Sequence, residues 1–261
     1  MSIPISGGPY VMDDVSASSG TVVRDFVNDS LVAAGWTSSP ISGGFDVQSA
    51  TTPQGLNVIV KLLSTPSWQF RSTDGSKTGS TGPFQTGAFT YRIIANPYQF
   101  FVFVPGFVST FNPSYEVMGG VPFVPSFLTS VTSDLWWAMG SPSFRANIFP
   151  SPVISNFAFN SDLGSGAGTG SPRIYQPIHG GVGSGSVNIV TQWFNGANVV
   201  ADSLIGWGLS SGGNPRVRGL LWDCATILGA YTMDLEDNFE GHNWYNITSS
   251  NTAGSLWLIV P

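Results

Sequence analysis

Ala88 to Ala95 (AFTYRIIA), Asn96-Pro97 and Tyr98 to Val104 (YQFFVFV) follow one another without a gap in the first half of the chain. Both flanking runs are short, rich in β-branched and aromatic residues, and bounded by turn-forming residues, which is the pattern of strands. Asn-Pro initiates turns and proline fixes one turn dihedral, so the two runs read as a hairpin. The near-continuous apolar Phe100 to Val104 implies burial on both faces, either inside the fold or against another subunit.

The same signal recurs at Leu56 to Leu63 and, further on, at Ser186 to Phe194, Val199 to Leu209, Arg216 to Leu228 and Ser255 to Val260. Only Thr21 to Ala34 departs from it. There Val22, Val23, Phe26, Val27, Leu31 and Val32 form one stripe of a 3.6-residue helix, with Ser19 as N-cap and Gly35 as the stop. One helix followed by many short strands predicts a mainly β fold, a sandwich or barrel-like core with one N-terminal amphipathic helix. Residues 1–20 read as a flexible arm that orders only in an assembly. Residues 21–261 read as a single domain, the alternative being two subdomains, 21–159 and 187–261. Between them, eight glycines from Gly164 to Gly185 predict a long surface loop over about 160–186.

Composition narrows the function classes. The chain has 261 residues, of which only 9% are charged, with a net charge of −6. Soluble domains average about 25% charged residues. Two lysines, Lys61 and Lys77, leave too little positive surface to neutralise phosphates, so direct nucleic-acid binding is disfavoured. No apolar run reaches the roughly 18 residues of a spanning helix, and Met1 to Gly8 does not read as a secretory signal. A cytoplasmic site of synthesis is the expectation. Cys224 is the sole cysteine, flanked by apolar residues, and reads as a buried inert thiol.

Several constellations invite a chemical reading. Gly208-Leu209-Ser210-Ser211-Gly212 matches G-x-S-x-G, with Asp223 or Asp234 and then His242 following in the order of an α/β-hydrolase. That elbow needs a helix after it, however, and Gly212-Gly213-Asn214-Pro215 breaks one, so a plain turn and no catalytic residue is the expectation. Asp234, Glu236, Asn238, Glu240 and His242 recur every second residue, which on an extended strand would present one face of oxygen and nitrogen donors. Phe239 and Tyr245 occupy the calcium-loop positions that want Gly and Glu. A solvated polar face is therefore preferred over a metal site built on Asp234, Glu236, Glu240 and His242. The glycines from Gly164 to Gly170 lack phosphate-loop spacing, and no cofactor is expected. His179 reads as a loop residue. Trp136, Trp137, Trp193 and Phe194 are candidates for a sugar-stacking platform, although packing or subunit contact suits them better.

Three places carry a resemblance. They are Leu31-Val32-Ala33-Ala34-Gly35-Trp36, the central Tyr91 to Phe100, and a tail that runs Arg218 to Asp223, Met233-Asp234, Asp237 to Trp244 and Gly254 to Pro261. Together they resemble a group of virion structural proteins of tailed bacteriophages. The resemblance implies a non-enzymatic particle component, in the tail, the baseplate or as a capsid decoration. Its expected partners are copies of itself and other virion proteins, with a host-surface glycan as the alternative ligand. The expected location is the virion, assembled in the host cytoplasm.

Overall fold

A computed structural model describes residues 4–75, 78–84, 88–109, 112–121, 123, 136–139, 172–175, 192–195, 198–207, 216–228, 236–239, 241–247 and 255–261. The described chain is mainly β, with three antiparallel sheets and one helix near the N-terminus.

The helix, α1 (Gly20–Ala33), starts where Ser19 accepts a hydrogen bond from the Val22 N–H. It stops in a Schellman pattern, in which the Gly35 and Trp36 N–H groups bond back to Val32 and Leu31. Gly35 has φ 91, a left-handed conformation that costs glycine nothing. Val23, Val27 and Leu31 form its fully buried stripe.

The central sheet joins β1 (Val11–Ala17), β7 (Phe89–Ala95), β8 (Gln99–Ser109), β9 (Asn112–Gly120) and β10 (Trp137–Met139) in that order. β7 and β8 are the hairpin expected around Asn96-Pro97, with Ala95 opposite Phe100. Alternation then splits this sheet between two cores. Tyr91, Ile93, Ala95, Phe100 and Val102 face α1 and the second sheet, whereas Ile94, Phe101, Phe103 and Met118 face the third. The double burial of Phe100 to Val104 therefore lies inside the fold.

The second sheet is a meander of β2 (Thr37–Ile41), β3 (Gly44–Gln48), β4 (Ile59–Leu63), β5 (Ser67–Arg71) and β6 (Thr78–Pro83). It meets the central sheet through Phe70, stacked on Phe100 at 5.9 Å and on Trp136 at 6.0 Å. The third sheet orders β11 (Pro172–Tyr175), β13 (Asn198–Trp207), β14 (Arg216–Leu228), β17 (Ser255–Val260), β16 (His242–Asn246) and β15 (Glu236–Phe239), with β12 (Gln192–Asn195) also paired to β13. Leu221, Cys224, Tyr245, Leu258 and Val260 close the second core against the central sheet.

Two expectations need correction. The supposed arm is bound to the fold: β1 pairs along its whole length with β7, because Val11 and Val15 have an apolar core to pack on. Within the glycine-rich 160–186 segment, Pro172–Tyr175 is a strand on β13, where Ile174 and Tyr175 supply the β-favouring residues. The rest of that segment lies outside the described residues.

Candidate functional site

A polar cluster among the described residues sits where the β7–β8 turn meets β14. The turn is closed by Asn96: its N–H donates to the Gln99 carbonyl at 3.0 Å, and its Oδ1 accepts from the N–H groups of Tyr98 and Gln99 at 2.8 and 2.9 Å. Its carbonyl accepts from Trp36 Nε1 at 2.8 Å, which ties the turn to the end of α1. This is an Asx turn with every polar group engaged, the reason Asn rather than an apolar residue precedes Pro97.

Opposite it, β14 bulges. Its pairing with β13 jumps from Leu220 opposite Leu204 to Ala225 opposite Asp202, so Leu221 to Cys224 leave the β13 ladder, while Cys224 still pairs with Leu258 of β17. Gln99 supplies what the ladder no longer does. Its Oε1 accepts from the Trp222 N–H at 3.1 Å, and its Nε2 donates to the Trp222 carbonyl and to Cys224 Sγ. Trp222 itself rests on the Tyr98 ring at 4.5 Å.

At the tip of the bulge Asp223 adopts φ 52, alone among described non-glycine residues in the left-handed region, and is 2% exposed. Its Oδ1 accepts from the Ser6 N–H at 2.7 Å and the Tyr10 hydroxyl at 3.2 Å, and its Oδ2 accepts from Asn96 Nδ2 at 2.5 Å. Burial without a cationic neighbour pushes its carboxyl up to about 6, against the opposing pull of those donors. Tyr10 is pushed up to about 12 by burial and by the Asp223 charge, and burial raises the Cys224 thiol well above its ordinary value. A cavity of about 10 Å³ adjoins the cluster, with Asn96, Gln99 and Asp223 on its polar side and Ile94, Phe101 and Leu258 on its apolar side. That volume admits a water molecule and nothing larger. Chemically, this arrangement joins layers: one carboxylate and two amides link the N-terminal segment, the central sheet and the third sheet.

The residues singled out by sequence fall elsewhere. Asp223 is a member of this cluster, held by Ser6, Tyr10 and Asn96 and by no histidine, so it does not orient His242. Ser210, His179, Asp234 and Glu240 lie outside the described residues. The alternating donors do not share one strand face: the chain reverses between β15 and β16, so that Phe239 pairs with His242 and Glu236 with Tyr245. Asn238 instead donates to Asn243 across the hairpin at 2.9 Å. Trp136 is 1% exposed and stacked in the first core, which removes it as a sugar platform. Trp137, Trp193 and Phe194 lie in β10 and β12, and their side chains are outside the described residues. Asn96 and Gln99 were not anticipated. Their signal is a lone acid in the apolar run Leu220 to Ala225, since a buried carboxylate requires donors from somewhere.

No helix among the described residues is long and apolar enough to cross a membrane. No family model and no curated protein matches the chain.

Proposed function

We propose that the chain is a structural component of a bacteriophage particle, tail or baseplate associated, that acts through contacts with copies of itself and other virion proteins rather than by catalysis. The resemblance at the helix end, the central hairpin and the tail motivates this reading, and the charge-poor composition agrees with it. The observation that carries it is the use made of the polar cluster between the β7–β8 turn and β14. Asp223, Asn96 and Gln99 direct their groups at one another and at backbone, fastening the central sheet to the third sheet in a stiff body suited to bearing load. Capsid decoration is the alternative placement of the same role. Mass spectrometry of purified particles from an infected host tests the reading. Stoichiometric presence of the chain, traced in a map of the particle, is the expected result; its absence from washed particles overturns it.

A further inference from the structure

Among the described residues, three hydrogen bonds tie residues 4–10 to the body of the molecule, and all three end on one residue. The Asp223 N–H donates to the Pro4 carbonyl at 2.8 Å, and Asp223 Oδ1 accepts from the Ser6 N–H and the Tyr10 hydroxyl. The segment has no regular secondary structure of its own. Gly7 and Gly8 have φ 82 and 109, and a side chain at either would meet nothing within 4 Å, so the segment turns there beside open space while Pro4, Ser6 and Tyr10 anchor it.

We propose that residues 4–10 form a proton-gated strap, docked on the β14 bulge while the Asp223 carboxyl is protonated and loosened when it ionises. Among the described residues, the groups that face this carboxyl are all uncharged. Tyr10 faces it from the strap, Asn96 and Gln99 from the turn, Cys224 from β14 itself, and Leu258 and Ile259 come from β17. A carboxylate at that position is buried with no cation to offset it, which is costly. The neutral acid is not: its O–H donates to the Tyr10 oxygen, which accepts as readily as it donates, while the Ser6 and Asn96 N–H groups keep their acceptors. Release of the strap lets water reach the carboxylate and removes the penalty.

The sign follows from linkage. The docked state holds its proton up to about pH 6, whereas a solvated carboxyl releases it near 3.8. Docking is therefore fully favoured below the lower value and weakens as pH rises through the upper one, by up to roughly a hundredfold in the docking equilibrium. This inference does not depend on the particle role proposed above.

Amide hydrogen exchange on the full chain tests it, with Ser6 and Asp223 N–H as reporters and each rate divided by the intrinsic rate at its pH. Between about pH 5 and about pH 7.5, protection of both reporters should fall about tenfold. The Val60 amide in β4 should hold constant, and Asp223→Asn, which has no proton to lose and tolerates a left-handed backbone, should remove the dependence. Equal protection of the reporters at both pH values, an equal loss at Val60, or a pH-dependent Asp223→Asn overturns the strap. Should that variant fail to fold, carbon-13 carboxyl titration of the wild-type chain decides: a midpoint above about 5 for Asp223 supports the proposal, and a midpoint at or below it overturns it.

Discussion

Gln99 replaces a stretch of β-ladder with a single side chain, and its substitution separates shape from hydrogen bonding. Gln99→Leu keeps most of the volume but leaves the buried Trp222 N–H and carbonyl without partners, a loss of about 2–4 kcal/mol expected in urea denaturation. Gln99→Glu should be worse at neutral pH, since a carboxylate accepts from the Trp222 N–H but repels the Trp222 carbonyl and lies beside Asp223. It should recover on acidification, because the protonated acid again offers one donor and one acceptor. A Gln99→Glu chain no less stable than Gln99→Leu at neutral pH would argue against the bracing role. Little of this was legible in the sequence. The lone Asp223 in an apolar run announces a buried acid, but its donors stand 127, 213 and 217 positions away, and local pattern carries no information over such separations.

Elements with their own periodicity were readable, and those that exist through pairing were not. The α1 stripe and the β7–β8 hairpin each carry a local signature; α1, β7 and the start of β8 fall within a residue of expectation, whereas β8 runs five residues past Val104. By contrast β2 (TSSPI) and β6 (TGSTGP) contain no apolar alternation; they are edge strands held by β3 and β5. Edge position also explains their content. Pro40 on β2, Asp13 and Asp14 on β1, and Glu236 and Asp237 on β15 all occupy sheet edges and oppose the addition of a further strand. In the proposed assembly role, contacts between copies would then run through faces and loops. The β8–β9 pairing depends on Gly120, with φ 154 opposite Gln99, where a Cβ would lie 2.1 Å from the Tyr98 carbonyl oxygen. Backbone cannot yield as a side chain tip does. Gly120→Ala is expected to cost about 3 kcal/mol or more by thermal unfolding and to expose the amides of β8 to exchange.

In the middle of the central sheet the described residues are buried on both faces, Ile93, Ala95, Phe100 and Val102 in one core and Ile94, Phe101 and Phe103 in the other. This bears on whether the chain unfolds as a single unit or as two subdomains. A division at the glycine-rich segment would leave Ile94, Phe101, Phe103 and Met118 on one piece and Leu221, Tyr245 and Leu258 on the other, although together they make one core. Phe103 meets the Tyr245 ring at 6.3 Å, and Arg92, paired with Asp14 through two 2.7 Å hydrogen bonds, lies over the same ring at 5.0 Å. The central sheet cannot be stable in water without both coverings, so the layers should unfold together. Phe101→Ala, which touches only the third-sheet side, is expected to destabilise by about 3–5 kcal/mol. It should lower the protection of Val60 in β4, on the far side of the central sheet, by the same free energy as that of Leu258 in β17. Full protection retained at Val60 while Leu258 exchanges freely would mean that the two cores open independently, and that the central sheet is a boundary rather than a keel.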